Sequence, residues 1–466
     1  MSNLLIIEIT FAAALLFFVA RLRVSVPVRQ WLCLLSSYGF YVVVGRWAVC
    51  FLLLSTVINF GLGKLMKARL NAGTLWFGVI LNVLFLSFFK YLPALLPHSD
   101  GSAVTEITRI VMPLGISFWT FQAMSYLFDL YREEELDPSL REFALYMAFA
   151  PTVLSGPICR LGEMLPQFRV MKPATRLEVR GGLQRIWLGV FMMAVARLLG
   201  AGLLPDAGVD AGFAKSGLHF LDVWVLTIGY GMQLFFDFAG YSNIVIGIAR
   251  AYGFEIRENF ESPYLSKSPS EFWTRWHMSL SFWIRDYLFM PLATQNKALW
   301  WRYLTLLFSM IVFGLWHKAA WTFVVWGAFQ GCLLVIHRVF QKFVSSRDLD
   351  EQAEKISFLG LPYTYLVICL SWVFFRADSL SQAWVMFRTA LKPSAGFTLD
   401  VSFVWLVVGV VVCYFAVEAM ADRRGRTEAM PFAWIPLEAR FAAYALVAYV
   451  VFLRVIQARG FVYLQF

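Results

Sequence analysis

We predict an all-α, polytopic membrane protein with roughly 10–12 transmembrane helices. The 466-residue chain is 60% apolar and only 15% charged, and its mean hydropathy is +0.66. A soluble protein would carry about 25% charged residues. The alternation of apolar and polar residues that marks a membrane β-barrel does not occur.

Apolar runs recur from one end of the chain to the other, and many reach the roughly 17–25 residues that cross a bilayer as a helix. No basic residue precedes the first run and no small-residue cleavage site follows it, so we expect no cleaved signal peptide. The runs are 4–20, 31–44, 47–62, 74–89, 143–154, 186–204, 223–249, 303–316, 319–336, 359–375, 402–420 and 441–453.

Basic residues between the runs predict the orientation. Segments 21–30 and 63–73 each contain three Arg or Lys, whereas 45–46 and 91–108 together contain one. Because basic loops stay in the cytoplasm, we expect the N-terminus to be extracytoplasmic. Three arginines place 421–428 in the cytoplasm by the same rule. The net charge of +10 is therefore explained by topology, and we expect no nucleic-acid partner.

Two Trp-His pairs, Trp276-His277 and Trp316-His317, are the first candidates for chemistry. With 18 Trp and 5 His in the chain, chance predicts fewer than one such pair. An imidazole is costly to keep in a membrane interior unless it has a function. Six scattered cysteines show no metal-binding spacing, so we expect membrane-buried thiols and no bound metal.

His277 lies in a segment whose start resembles a helix capping box, with Ser268, Pro269 and Glu271 at the N-cap, N1 and N3 positions. A single helix that begins after Ser268 would place an apolar stripe beside a row of polar residues, which we call the seam. The apolar stripe is Phe272, Trp276, Leu280, Trp283 and Tyr287, and the seam is Thr274, His277, Ser281 and Arg285. The seam is either the solvated face of an interfacial helix or the lining of a cavity.

His317 interrupts the segment 303–336, which is otherwise apolar except for Lys318. As one helix it would be about 50 Å long, too long for a bilayer core, yet it is too short for two spans and a turn. We therefore predict a break near Gly314, with a full span at 319–336 and a half-length segment before it. Broken backbone is tolerated only inside protein, which would bury His317. Alternatively, His317 marks a helix end at the interface.

A third group of polar residues lies within the run 223–249. Its members are Gln233, Asp237 and Tyr241 in steps of four, followed by Ser242 and Asn243. An acid in the middle of a span is costly and marks function by default. The alternative is a structural salt bridge from Asp237 to Arg275 or Arg285.

Together these segments resemble the membrane-bound O-acyltransferase (MBOAT) family, and within it the bacterial branch typified by alginate O-acetylation. The resemblance covers nearly the whole chain. Its motifs are MPLGISFWTFQAMSYLFDLYR (112–132), LSGPICR (154–160), FFDFAGYSNIVIG (235–247), ENFESPYLSKSPSEFWTRWHMSLSFWIRDYLFMPL (258–292), GLWHKAAWTFVVWG (314–327), WVFFRADSLSQAW (372–384) and GFVYLQF (460–466).

The resemblance implies one membrane domain over 1–466 whose helices, including broken and interfacial ones, ring a central tunnel. Residues 1–110 would be peripheral helices, 111–345 the acyltransferase core, and 346–466 the C-terminal helices. The histidine of the GLWH motif is the catalytic one in the family, here His317. The second functional histidine, in the RWHxSL context, corresponds to His277.

The resemblance also implies transfer of an acyl group from a cytoplasmic thioester to a hydroxyl, and for this branch O-acetylation of a secreted or cell-surface polysaccharide. We expect a bacterial inner-membrane enzyme, acetyl-CoA or another acyl thioester as donor, and no permanently bound cofactor. The acceptor would be a polysaccharide or a periplasmic acetyltransferase partner. One alternative is D-alanyl transfer to teichoic acid. The other, from a different class, is a transporter without catalysis. A transporter should show an internal repeat, which we do not detect.

Hydroxyl attack on a thioester near neutral pH needs a general base, and imidazole suits that role. Our hypothesis is that a neutral His317 takes the acceptor proton, while His277 or the seam residues Ser281 and Arg285 orient the carbonyl or stabilise the oxyanion. No GxSxG motif occurs, so a covalent acyl-enzyme is not expected. Further residues are expected to line the tunnel and position substrates: Gln233, Asp237, Tyr241, Ser242, Asn243, Arg275, Trp316 and Lys318.

Three positions depart from the branch. Lys318 follows His317 where Gly is usual, Asn243 stands where many relatives have Asp, and Ala293-Thr294 replaces a common Gly-Gly. Lys318 could favour neutral His317 or contact an anionic donor. These departures could alter the acceptor or the partner surface.

Overall fold

A computed structural model describes residues 24–92, 113–347 and 357–423. Every regular element in these ranges is helical, which confirms the all-α class. Several predictions lie outside the described residues. They concern the runs 4–20 and 441–453, most of the loop 91–108, the basic residues 21–23 and 424–428, and the motif 460–466.

Seventeen α-helices lie in the described ranges. Up to the middle of the chain they are α1 Val26–Gly45, α2 Val49–Ala68, α3 Ala72–Lys90, α4 Ile116–Tyr131, α5 Leu140–Ala148, α6 Leu161–Val170, α7 Arg176–Ala201, α8 Val209–Ala214 and α9 Phe220–Ala251. The remainder are α10 Pro269–Arg275, α11 Met278–Ile284, α12 Met290–Ala293, α13 Leu299–His317, α14 Trp321–Ser346, α15 Gly360–Arg376, α16 Leu380–Leu391 and α17 Val401–Arg423.

Seven helical segments in the described ranges are long and apolar enough to cross a membrane, so the chain is polytopic. The segments are Val26–Ala68, Ala72–Lys90, Arg176–Ala201, Phe220–Ala251, Leu299–His317, Trp321–Ser346 and Val401–Met420. Three cysteines are buried in the protein, and Cys50, Cys332 and Cys413 lie on exposed faces of such helices. The expectation of membrane-buried thiols stays a prediction for these three.

Two compact units make up the chain. The first comprises Met1–Trp187 and Ser242–Glu258, and the second Leu188–Tyr241 and Asn259–Phe466. Both histidines of the Trp-His pairs belong to the second unit. The single domain with three parts that the sequence suggests stays a prediction.

In the first unit, α4 is buried on every side although no apolar run predicts it. Ser117, Thr120, Gln122 and Asp129 interrupt its hydropathy, and all are buried. The run 143–154 is not a spanning helix, because α5 ends at Ala148 and turns follow. Pro151 explains this end, since a proline disfavours helical backbone in the residue before it.

The predicted break near Gly314 is wrong. Helix α13 runs unbroken to His317 as a full candidate span, and the chain turns at 318–320 into α14. Both helices extend into polar residues that flank the apolar run. Counting apolar residues alone therefore underestimated the length of the two helices. Gly314 instead lets the two helices approach closely, because a Cβ there would lie 2.2 Å from the carbonyl oxygen of Phe323.

Candidate active site

His277 lies at a break in the helical path that the sequence predicts as continuous. Helix α10 ends at Arg275, Trp276 is extended, and His277 has φ 44° and ψ 51° before α11 begins at Met278. The prediction of one continuous helix, with an apolar stripe and a polar seam across 272–287, is therefore wrong at Trp276 and His277. A non-glycine residue in the left-handed region is strained, and such strain persists where surrounding contacts enforce it.

Asn259 supplies those contacts. Its backbone oxygen accepts from the N–H of Met278 at 2.9 Å. Its Oδ1 accepts from Ser279 Oγ at 2.8 Å and from the Ser279 N–H at 3.3 Å, and it lies 3.1 Å from His277 Nδ1. Because the Ser279 N–H can only donate, the atom facing His277 is the amide oxygen. Asn259 thus fixes both the backbone and the ring of His277.

The contact with Asn259 also sets the tautomer of His277. An amide oxygen only accepts, so Nδ1 carries the proton and the neutral ring leaves Nε2 as an acceptor. The side chain is 1% exposed, and burial lowers its pKa to about 3. In this state Nε2 can accept a hydrogen bond from a hydroxyl, and the oxyanion role suggested for His277 stays a prediction.

The capping prediction for α10 is confirmed in part. Ser268 Oγ accepts from the Glu271 N–H at 3.1 Å, while Glu271 Oε2 accepts from the Lys267 N–H instead of that of Ser268. Arg275 pairs with Glu271 at 2.8 Å.

The seam residues Ser281 and Arg285 do not form one polar face with His277. Ser281 Oγ donates to the carbonyl of Trp276 at 2.9 Å. Arg285 pairs with Asp286 at 2.7 Å, and its side chain is 55% exposed. Arg275 and Arg285 thus each pair with a neighbouring carboxylate, and a structural salt bridge from Asp237 to either of them stays a prediction.

His317 is the last residue of α13 and is 5% exposed. The expectation that it lies inside the protein is confirmed. Its ring is surrounded by five aromatic rings at centroid distances of 4.7 to 6.2 Å: Trp316, Phe313, Phe375, Trp326 and Phe323. Lys318 follows in extended conformation and is exposed. The aromatic surroundings hold the imidazole away from bulk water and restrict its orientation.

A continuous series of ring contacts joins the two Trp-His pairs. His317 contacts Trp326 at 5.6 Å, Trp326 stacks on Trp372 at 5.9 Å, and Trp372 contacts Trp276 at 5.3 Å. Trp276 directly precedes His277. Helices α13, α14 and α15 and the α10–α11 break therefore meet in one aromatic core, with an imidazole at each end of the series.

The polar residues of α9 are placed as predicted on one helix. Gln233, Asp237 and Tyr241 are 3%, 2% and 7% exposed. Ser242, also buried, and Asn243 belong to the first unit. There, Asn243 Oδ1 accepts from Arg185 at 2.9 and 3.1 Å, and the same guanidinium pairs with Glu258.

Sequence reasoning missed several polar residues near this stripe. Asn259 and Arg376 lie inside quoted motifs but received no role, and their neighbours in space could not be read from spacing. Tyr230 continues the α9 stripe one turn before Gln233. Asp210 comes from the short helix α8 and pairs with Arg376 at 3.4 Å.

Comparison with known proteins bears directly on this arrangement. The family model of the membrane-bound O-acyltransferase family matches residues 65–375, which include both histidines, Asn259 and the α9 stripe. This chain belongs to the membrane-bound O-acyltransferase family. The resemblance inferred from the motifs is confirmed, and the chain is an O-acyltransferase.

Curated relatives fall into three groups. The probable alginate O-acetylase AlgI of Azotobacter vinelandii is 35% identical over 77% of this chain and 72% of the relative. The peptidoglycan O-acetyltransferase of Helicobacter pylori is 31% identical over 84% and 76%. The teichoic acid D-alanyltransferase of Streptococcus thermophilus is 30% identical over 64% and 76%.

Proposed function

We propose that this O-acyltransferase moves an acetyl group from a cytoplasmic thioester, such as acetyl-CoA, to a hydroxyl of a secreted or cell-surface polysaccharide, directly or through a periplasmic partner protein. His317 is the general base. The observation that carries the proposal is the burial of His317 at a helix end within aromatic rings that lead to a second buried histidine. The acetyltransferase relatives are 31–35% identical over 77–84% of this chain, and the D-alanyltransferase is 30% identical over 64% of it, which favours acetyl over D-alanyl transfer.

In the proposed reaction a ring nitrogen of His317 takes the proton of the acceptor hydroxyl as its oxygen attacks the thioester carbonyl. The C–O bond forms, the C–S bond breaks, and the leaving thiolate recovers a proton from the imidazolium. His277, with Nε2 unprotonated, accepts a hydrogen bond from a hydroxyl and thereby orients it. A tunnel ringed by the helices brings donor and acceptor to His317.

Basic residues support an orientation with His317 toward the extracytoplasmic side. Five Arg or Lys lie in or directly beside the ends of α13 and α14 away from His317, whereas the turn 318–320 carries Lys318 alone. Positive-inside counting puts His317 toward the extracytoplasmic side of a bacterial inner membrane, with the N-terminus also outside. The five are Lys297, Arg302, Arg338, Lys342 and Arg347.

The test is the acetyl content of the secreted polymer in cells that carry His317→Ala, compared with wild type at equal membrane abundance. His337→Ala is the matched control, because His337 lies on α14 of the same hairpin and has no proposed role. We expect acetylation to be lost in His317→Ala and kept in His337→Ala. Normal acetylation in His317→Ala would overturn the proposal, and D-alanine in place of acetyl on a surface polymer would favour the second activity.

A further inference from the structure

Arg338 of α14 is a partly buried cation held by aromatic side chains. Its guanidinium lies 5.5 Å from the ring centre of Phe289, which ends the short π-helix Arg285–Phe289 between α11 and α12. The hydroxyl of Tyr303 on α13 lies close enough to Arg338 to interact with it electrostatically. Arg338 therefore lies where the π-helix meets the ends of α13 and α14 away from His317.

The packing of α14 against α13 explains why this side chain lies between helices. Gly331, Leu334 and Arg338 are three and four residues apart, so they share one face of α14. That face lies against α13, since a Cβ at residue 331 would come 3.1 Å from the Cα of Leu307. Arg338 continues the face about two turns nearer the end of the hairpin.

No carboxylate pairs with the Arg338 guanidinium in the part of the chain that the structure describes. Its three nitrogens have no hydrogen-bond partner there, and none of them is shielded from solvent. Asp286 is the one acid in 285–302, and it pairs with Arg285. A partly buried cation without a counter-charge is costly, so Arg338 indicates an anionic ligand that can reach it.

The depth of Arg338 matches the edge of a bilayer. Trp321, which is 74% exposed, begins α14 at the other end of the span, and exposed tryptophan is typical of a membrane interface. From Trp321 to Arg338 the helix rises about 26 Å, and Lys342 lies about 6 Å further. The hydrocarbon core of a bilayer is about 30 Å thick, so Arg338 and Lys342 lie at the level of the lipid phosphates.

Apolar side chains on both helices face outward near Arg338. Ile336 and Phe340 are exposed on α14, as are Trp300 and Leu304 on α13. Exposed apolar faces of helices that cross a membrane contact acyl chains. A lipid whose chains cover these residues therefore has its headgroup beside Arg338.

The chemistry of this place selects an anionic phospholipid. The guanidinium of Arg338 can donate two parallel hydrogen bonds to one phosphate, and the exposed ammonium of Lys342, one turn later, adds a second positive charge. A phosphatidylcholine headgroup also carries a cation, which these charges repel. Phosphatidylglycerol carries the negative charge alone and fits better.

We propose that Arg338 and Lys342 bind the phosphate of an anionic phospholipid, whose acyl chains lie along the exposed apolar side chains of α13 and α14. In the proposed orientation this lipid belongs to the cytoplasmic leaflet. It holds together the far ends of the two helices that position His317, and so stabilises the hairpin. The inference goes beyond the proposed function, because lipid binding needs no step of acyl transfer.

The test adds two lipids with identical acyl chains, dioleoylphosphatidylglycerol and dioleoylphosphatidylcholine, to the purified full chain in detergent. Native mass spectrometry measures the affinity for each lipid, and thermal unfolding gives the Tm. We expect phosphatidylglycerol to bind about ten-fold more tightly and to raise the Tm by roughly 2 °C relative to phosphatidylcholine. Equal affinities would overturn the inference and would favour the four acids of 348–354 as partners of these cations.

Arg338→Gln is the decisive variant because it removes the charge. It should lower the affinity for phosphatidylglycerol about ten-fold and abolish the Tm difference between the two lipids, a comparison that is made within each protein. Arg338→Lys keeps the charge but loses the paired donors, so it should retain part of the difference. An undiminished preference for phosphatidylglycerol in Arg338→Gln would overturn the inference.

Arg302→Gln is the matched control, since it removes the same charge from the same end of the hairpin. Arg302 lies one turn before the buried residues Thr305 and Leu306, so it starts from the protein-facing side of α13. This variant should keep the Tm difference between the two lipids. An equal loss in Arg302→Gln and Arg338→Gln would show that net charge alone attracts the lipid, and would overturn the site.

Two soluble anions separate the lipid from other sources of phosphate. Inorganic phosphate and CoA should not displace bound phosphatidylglycerol. Displacement by either would assign Arg338 to a soluble phosphate or to the acyl donor, and would overturn the inference. His317→Ala should bind phosphatidylglycerol as wild type does, so the proposed function and the lipid site can fail independently.

Discussion

Asn259 holds His277 in a left-handed backbone conformation through a 3.1 Å contact between Oδ1 and Nδ1, supported by two further hydrogen bonds from Ser279 to the same oxygen. One amide thus determines the backbone, the ring orientation and the tautomer of a buried histidine. A feature this dependent on one side chain can be tested by changing that side chain.

Asn259→Ala should lower both Tm and acetyl transfer. The substitution leaves His277 Nδ1 and the Ser279 hydroxyl without their acceptor, at about 1–3 kcal/mol for each buried group. Asn259→Asp keeps an acceptor oxygen at the same place and should restore most of the Tm. Thermal unfolding in detergent measures the first effect, and equal Tm for Asn259→Ala and wild type would contradict it.

The stability of the protein should depend on pH through His277. Burial lowers the pKa of His277 from 6.5 to about 3, so between these values the unfolded chain binds a proton that the folded protein excludes. The free energy of unfolding should therefore fall as the pH falls through this window, by about 1.4 kcal/mol per pH unit.

His277→Gln removes the titrating group and isolates this effect, since all carboxylates remain common to both proteins. The loss of Tm between about pH 7 and about pH 5 should be smaller in the variant than in wild type. Parallel losses in the two proteins would show that His277 does not titrate in this way.

Gly327→Ala should separate α13 from α14 and displace His317. A Cβ at residue 327 would lie 2.3 Å from the carbonyl oxygen of Met310, and backbone must move to accommodate it. We expect a loss of about 1–3 kcal/mol together with reduced transfer. Gly409→Ala on α17 is the control, because no atom lies within 4 Å of the added carbon there; a similar loss in both variants would remove the packing argument.

Lys318→Gly should leave the pH–activity profile unchanged. The Lys318 side chain is exposed, and water screens its charge from the buried His317 ring. The measurement is the initial rate of transfer across the pH range in proteoliposomes. A shifted profile would instead support the tuning role that the sequence suggests for this departure from the family pattern.

Composition and motifs predicted the class and the family, and they singled out two histidines that are both buried, because apolar runs and Trp-His pairs are local features of the chain. The turn at 318–320 was misplaced because α13 and α14 extend into polar residues that run-counting leaves out. Helix α4 was missed for a related reason: its buried Gln122 and Asp129 lower its hydropathy although protein surrounds it. The contacts of Asn259 and Arg376 depend on neighbours distant in sequence, which no spacing reveals.

The most direct test of the central claim is the rate of acetyl transfer by purified His317→Ala in proteoliposomes, at a Tm equal to that of wild type. Loss of a general base predicts a fall of about 100- to 10,000-fold. A rate within about ten-fold of wild type would contradict the assignment of His317 as the base.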